Sequence, residues 1–512
     1  MRPLYLGIDA STQSMTGIVI DCENSTVIAS ESVNFERELP EYETSAGVRT
    51  AKDNPLVVWS YPLMWLDALE MLFKKISASI NMGDISAVSG SGQQHATVWL
   101  NSDMAFSSLD FSKSLSDNIG YFLSRKESPV WMDASTSVEC SEMSDSAGGA
   151  SKVLQKTGSI MTERFSGAQI RKISKFEPKI YEATKRIHLN SSFICSILSG
   201  LDSPIDFCDG AGMNLMNIND FSWDSEMLDS CAPNLIAKLP KLASASSVAG
   251  NISQYLCNKY GFDRNAKVVV FTGDNPSSLV GIGASSEGAA AVSLGTSDTL
   301  FSSIEKFVPV ENAHIFCNPV GGYMGLLCFR NGSLARDKFR EMMGVDWKFF
   351  DETAFENYAP KLDKKLILPF FTDEISPKIS ANGPVFVGFS SEDSKESRIR
   401  NFIEGQVFNI YLQAQEMGNI PKKIILTGGA SKSSGIAQTF ADVFGVEIYT
   451  LKTSQNSAAL GAAMRAASCD YDMKFLESKF CPLVRSKMPR TCARQVYAHK
   501  LNLFRSTFYT NR

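Results

Sequence analysis

The sequence predicts an α/β protein of two related lobes with a central cleft, and three observations carry that expectation. A short strand runs into a hydroxyl-rich turn at Leu6-Gly7-Ile8-Asp9-Ala10-Ser11-Thr12-Gln13-Ser14, ahead of the apolar run Thr16 to Ile20. The stretch Ser293-Leu294-Gly295-Thr296-Ser297-Asp298-Thr299-Leu300 echoes it in the second half. At 512 residues the chain is longer than one hydrophobic core usually supports. Two phosphate-binding turns, one opening each half, suggest a nucleotide gripped between the halves, as in a kinase or ATPase.

The elements follow in order. Tyr5 to Ile8, Thr16 to Ile20 and Val27 to Phe35 read as a β-meander. Pro55 to Ser79 carries Val58, Met64, Leu66, Leu69, Leu72 and Ile76 at helical spacing and ends near Gly83, before the strand Ile85 to Ser89. Residues 137–200 read as largely helical, with turns at Ser203 to Asp206 and Phe221 to Asp224. Lys267 to Thr272 is a short β-branched run of the buried-strand kind, stopped by Gly273-Asp274-Asn275-Pro276. Gly288 to Leu294 and Thr299 to Ile304 start a second meander, which places an N-terminal lobe over 1–286 and a C-terminal lobe over 287–480. Helices around Ser333 to Met343 and Arg398 to Met417, a strand Lys423 to Leu426, the loop Thr427-Gly428-Gly429-Ala430-Ser431 and a helix through Phe444 complete the second lobe. The tail 481–512 holds Arg485, Lys487, Arg490, Arg494, Lys500, Arg505 and Arg512 with no acidic residue, and reads as a solvated basic extension.

Composition narrows the partners. Fifty basic and fifty-five acidic residues are mixed along the chain for a net charge of −5, so no overall field would recruit nucleic acid or an anionic membrane. A small-molecule partner fits better. The eleven cysteines lack a C-x-x-C pair and are expected to be reduced, mostly buried thiols. With no secretory h-region and no run of eighteen apolar residues, a cytoplasmic protein is expected, as monomer or homodimer.

The chemistry-bearing residues cluster at strand ends. In the first turn Gly7 would let a ligand approach the backbone, while Ser11, Thr12 and Gln13 offer donors suited to phosphate oxygens. Asp9 among such donors would be repelled by a nucleotide unless Mg²⁺ lay between, so it reads as a magnesium ligand, or else as a residue capping its own turn. Gly295 and Thr296 repeat that chemistry in the second turn. Gly428 and Gly429 would let a nucleotide lie against a helix start, or merely form a tight strand-to-helix turn. Asp274, held at a strand end beside Asn275, suits a general base, with a helix N-cap as the plainer alternative. His95 ends the segment Ser91-Gly92-Gln93-Gln94-His95, and no histidine has the close partners a metal cluster needs.

Together the segments Ser89-Gly-Ser-Gly-Gln-Gln-His95, Val130-Trp-Met-Asp-Ala-Ser-Thr136, Glu163-Arg-Phe-Ser-Gly167, Pro204-Ile-Asp206, Asp209-Gly-Ala-Gly-Met-Asn214, Phe271-Thr-Gly-Asp-Asn-Pro276 and Val292-Ser-Leu-Gly-Thr-Ser-Asp-Thr299 resemble the FGGY carbohydrate kinases of the actin-like ATPase superfamily. The resemblance covers roughly residues 4 to 470 and implies two actin-like, ribonuclease H-like lobes. It also implies ATP-dependent phosphorylation of D-xylulose at its 5-hydroxyl, as in the eukaryotic branch. By the same resemblance Asp274 takes the hydroxyl proton, and His95, Arg164, Asn275 and Gln94 join it around the sugar. Asp9 holds Mg²⁺, Thr12 and Thr296 face the phosphates with Gln13 and Gly295 beside them, and Gly428, Gly429, Ser433 and Trp347 lie near the adenosine. Asp298 and Gln94 stand where bacterial members often have Gly and Met. The segment Asp351 to Pro384, read as helical, and the basic tail match the family poorly. Alternatives are a kinase of this family for ribulose, fuculose, gluconate or glycerol, and a silent sugar-binding sensor on the same fold.

Overall fold

Every residue of the strand Leu4–Ala10 is buried, because it pairs on both sides. It runs antiparallel to Ser14–Asp21, with Ala10 opposite Met15, and Thr26–Asn34 adds a third antiparallel strand. That third strand lies at the sheet edge, and its residues are accordingly exposed or half-buried until Val33. The computed structural model describes residues 2–103, 106–418, 420–452 and 456–510. These divide into two units, neither continuous in sequence: Met1–Gly283 with Ile315–Tyr323 and Gln455–Cys481, and Ala284–His314 with Met324–Ser454 and Pro482–Arg512.

In the first unit Leu4–Ala10 also pairs in parallel with Ile85–Gly92, which takes Lys267–Val269 and Thr272–Gly273 in parallel on its other side. The registers set Ala10 beside Gly92 and Gly92 beside Gly273. Three strands therefore end together, and ligands in open α/β sheets bind beyond such carboxyl ends. The helix Pro62–Ser77 buries Trp65, Leu69, Leu72, Phe73 and Ile76, each contributing about 1.5–3 kcal/mol. It starts at Pro62 and not at Pro55, because Val58–Ser60 is drawn into a small sheet with Arg49–Thr50 and Ser128–Pro129. The expected helices of 137–200 form, interrupted by the strand Arg186–Leu189.

A helix from late in the chain, Ser457–Ala467, belongs to this first unit. It lies so close to the first strand that a Cβ on Gly7 would sit 2.1 Å from the Ala459 carbonyl oxygen. Gly7 thus makes room for a helix and not, as expected, for a ligand. The helix Asp274–Gly281 meets the same helix through a reciprocal glycine contact, since a Cβ on Gly281 would lie 1.8 Å from Ser457 O and one on Gly461 2.0 Å from Ser277 O.

In the second unit Ala289–Leu294 pairs antiparallel with Asp298–Ile304 and parallel with Lys423–Thr427, which in turn runs parallel to Glu447–Leu451. The order of pairing repeats that of the first unit. Two expectations fail here. The segment 351–384 contains only the short helical turn Thr353–Phe355, and Leu366–Leu368 is a strand paired with Val385–Val387. The tail is not a solvated extension: Leu483–Lys487 pairs with Glu447–Leu451, and the helix Ala493–Thr510 buries Tyr497, Lys500, Phe504 and Phe508. Those four recur at helical spacing, and Lys500 is matched by buried Glu404 at 2.6 Å, so periodicity outweighs the charge run. Among the described residues no helix is long and apolar enough to cross a membrane.

Candidate active site

The three strand ends of the first unit deliver Asp9, Gln93 to His95 and Asp274 to one place. Asp9 and Asp274 line a recess of about 350 Å³ with Ser11, Asn275, Ser278 and Asn456. Asp9 is buried and accepts hydrogen bonds from the Ser11 hydroxyl, from Ser91 Oγ at 2.8 Å and from Asn456 Nδ2 at 3.4 Å. Burial raises its pKa against those donors. It is thus tied to its own turn by Ser11, and it also faces the recess.

Asp274 is the first residue of the helix Asp274–Gly281, whose N-cap is Gly273 and makes no side-chain cap bond. Asp274 Oδ1 accepts from the Asn275 amide N–H at 2.8 Å and from Asn275 Nδ2 at 3.2 Å. Desolvation first, then the nearby charge of Asp9, push its pKa up to about 7. A carboxyl held there is poised for proton transfer near neutral pH.

His95 is buried with φ +72°, a backbone conformation uncommon outside glycine and asparagine. Its ring stacks on Phe165 at 4.3 Å, and Nδ1 lies 2.8 Å from the Gly212 carbonyl oxygen. A carbonyl only accepts, so Nδ1 carries a proton and donates it there. Arg164, half-buried, precedes Phe165 in the turn before the helix Ser166–Phe176. Gln94 accepts from Asn275 Nδ2 through Oε1 at 2.9 Å. Thr12 accepts from Trp131 Nε1 at 2.9 Å, and Gln13 beside it is exposed. Side-chain amide atoms of Gln93 and Asn190 are buried without a hydrogen-bond partner among the described residues, so this region holds unmet polar capacity of the kind that a ligand or water meets.

The remaining expected residues belong to the second unit. Gly428 has φ +81°, and a Cβ there would lie 2.5 Å from the Leu294 carbonyl oxygen, so the Gly428-Gly429 loop packs against the start of the Gly295-Thr296 turn. Thr296 is exposed and Gly429 faces open space. Ser433 caps the helix Ser434–Phe444, after an intervening turn Gly429–Lys432, and reaches towards the Asp351 carbonyl in the helix Trp347–Asp351. Trp347 is 44% exposed with the Arg340 guanidinium 5.2 Å from its ring. Beside this group lies a pocket of about 580 Å³ lined by Asp351, Phe355, Tyr358, Ser434, Gly435 and Arg490.

Sequence reading missed Ser91 and Asn456, the partners of Asp9, and Phe165 and Gly212, which orient His95. Ser91, Phe165 and Gly212 lie inside the segments quoted for the family resemblance. Asn456 stands more than 440 positions from Asp9, and no local pattern links them.

Residues 126–281 match the N-terminal domain of the FGGY family of carbohydrate kinases, and residues 290–469 match its C-terminal domain. The xylulose kinase of Rattus norvegicus is 41% identical over 485 residues, covering 91% of this chain and 88% of the relative. The solved xylulose kinase of Rhodospirillum rubrum shares the fold with a TM-score of 0.82 at 16% identity, covering 99% of this chain and 98% of that one. A gluconate kinase from Lactobacillus acidophilus does so at 0.79 and 22% identity, over 99% and 98%. Likeness at such identities carries the architecture and leaves the sugar open.

Proposed function

Since the chain belongs to the FGGY family of carbohydrate kinases, we propose that it transfers the γ-phosphoryl group of ATP to the 5-hydroxyl of D-xylulose, giving D-xylulose 5-phosphate and ADP. The observation that carries the chemistry is Asp274: a half-buried carboxyl at a strand end, lining the recess it shares with Asp9, with a pKa of about 7. Full-length likeness to a relative named for xylulose favours that sugar.

In this reading the Asp274 carboxylate accepts the 5-hydroxyl proton as the sugar oxygen bonds to phosphorus and the bond to the β-phosphate oxygen breaks. His95 binds a sugar hydroxyl, while Arg164, Gln94 and Asn275 complete the hold. Alignment contributes most, because a loose phosphoryl transition state asks little of the base until late.

For the nucleotide, Thr12, Gln13, Gly295 and Thr296 offer hydroxyl, amide and backbone N–H donors to phosphate oxygens, and Gly428, Gly429, Ser433 and Trp347 serve the adenosine. Asp9 fits a Mg²⁺ ligand. It is an oxygen donor in the same recess as a second carboxylate, where hydroxyl and amide neighbours suit a cation that keeps phosphate and water oxygens as its other ligands. When bound, the ion supplies positive charge against the phosphates.

The test is an ATP-coupled assay over a panel of sugars and polyols, together with Asp274→Ala. D-xylulose is expected to be the preferred substrate. Asp274→Ala is expected to lower turnover by about 10²–10⁴-fold while calorimetry still detects sugar binding. Preference for ribulose or glycerol would overturn the sugar assignment, and undiminished turnover would remove Asp274 from the mechanism.

A further inference from the structure

Behind Asp274 lies a buried acid that the reaction as described does not use. Asp206 accepts from the amides of Cys208 and Asp209 at the start of the helix Phe207–Ala211, and that cap fixes where Asp209 points. Asp209 is 2% exposed. Its Oδ2 accepts from the Ser191 hydroxyl, and its carboxyl also receives the Gln94 side-chain amide. Gln94 is engaged at both ends: Oε1 accepts from Asn275, and the amide nitrogen serves Asp209.

The Asp209 and Gln94 side chains meet at one point. A Cβ added to Gly273 would lie 2.6 Å from Asp209 Oδ1 and 2.6 Å from Gln94 Cγ. Glycine at 273 is what lets the two side chains meet beneath the strand end that carries Asp274.

Rotating the Gln94 amide by 180° would exchange its oxygen and nitrogen, so something must choose between the two orientations. Asn275 Nδ2 needs an acceptor, which demands Oε1 on its side and leaves Nε2 facing Asp209. An acceptor at 209 therefore enforces the same orientation from the other end. With that orientation set, Asn275 Nδ2 bridges Gln94 Oε1 and Asp274 Oδ1, and Asn275 Oδ1 is turned away from both.

We infer that Asp209 is a positioning residue: through Gln94 and Asn275 it fixes the orientation in which the Asp274 carboxylate meets the sugar hydroxyl. This rests on Asp274 being the base. Asp209 does not line the recess that Asp9 and Asp274 share. Its contribution is the polarity of a chain of hydrogen bonds, which a purely apolar core residue of similar size could not provide.

The experiment is steady-state kinetics with D-xylulose and MgATP on Asp209→Leu, Asp209→Asn, Gln94→Glu and the double variant Asp209→Asn/Gln94→Glu. Asp209→Leu is expected to lower kcat by up to about 10²-fold, the scale of a small misplacement at the reacting centre, with KM for ATP unchanged. Asp209→Asn keeps an acceptor oxygen for Gln94 and offers its amide to Ser191, so kcat stays within a few-fold of the parent. Gln94→Glu sets acceptor against acceptor and loses kcat as Asp209→Leu does. Adding Asp209→Asn is expected to recover part of that loss, because the link is re-formed with donor and acceptor exchanged while the sugar contact of residue 94 stays altered. The last two arms preserve volume, so they decide the matter even if Asp209→Leu does not fold. Full kcat in Asp209→Leu, a loss in Asp209→Asn as deep as in Asp209→Leu, or failure of the double variant to recover would each overturn the inference. Asp274→Ala separates the two levels: if it retains turnover the base assignment itself fails, and if it is inactive while the Asp209 variants are unimpaired, only the positioning role fails.

Discussion

The two turns that look most alike in sequence treat their carboxylates in opposite ways. Asp9 of the first turn accepts from the neutral donors Ser11, Ser91 and Asn456. Asp298 of the second is clasped by the Arg336 guanidinium through two bonds of 2.7 and 2.8 Å, with both side chains almost fully buried. A backbone amide, that of Gly295, also donates to the Asp298 carboxylate and so shapes the turn it belongs to. One carboxylate has only neutral donors around it, and the other has its counter-charge within the fold. The same residue type after the same kind of strand thus serves chemistry in one unit and architecture in the other.

Substitution should separate them along two axes. The largest expected effect is on activity: Asp9→Asn is expected to lower turnover by roughly 10²-fold or more, because several kcal/mol of charge stabilisation at the phosphates depends on it. Its melting temperature should hold or rise, since the buried carboxylate is disfavoured by desolvation. A melting point lowered in proportion to the lost activity would make Asp9 a structural residue. Next comes stability: Asp298→Asn leaves a buried guanidinium without its counter-charge and is expected to cost about 3 kcal/mol in urea unfolding. An unchanged midpoint would show that Gln406 and Ser333, the other partners of Arg336, suffice.

The smallest effect is on pH dependence. Asp274 acts as a carboxylate, so kcat/KM should fall as pH drops through about 7 and the group protonates. The charge of Asp9 helps to raise that value, so in Asp9→Asn the acid limb should move to lower pH, whereas in Asp298→Asn it should stay in place. A limb unmoved in Asp9→Asn would mean that the two carboxylates do not sense each other.

The repeated element order, the paired turns, Asp274 at a strand end and the His95 segment were all legible in the sequence, because each depends on residues within a few positions of one another. Strand periodicity and a polar stop identify a strand end wherever it lies in the chain. Where reading failed, distance or competing signals were the cause. The Pro55 start gave way to a strand recruited by residues 49–50 and 128–129, and the basic tail concealed an apolar stripe that docks on the second unit. Gly7 looked like a ligand-facing glycine until the helix Ser457–Ala467 filled the space above it.

The sequence by itself determined the two α/β units, the residue types at each turn and the membership of a carbohydrate kinase family. Those properties reside in local patterns that folding leaves intact. Only the tertiary structure decided which carboxylate has a counter-charge, because that depends on whether Arg336 or Asn456 arrives beside it from a distant part of the chain. Burial then sets the consequence. In a low-dielectric interior a cation a few ångströms away holds a carboxylate in its charged form and in one place, whereas burial among neutral donors raises its pKa, as at Asp9.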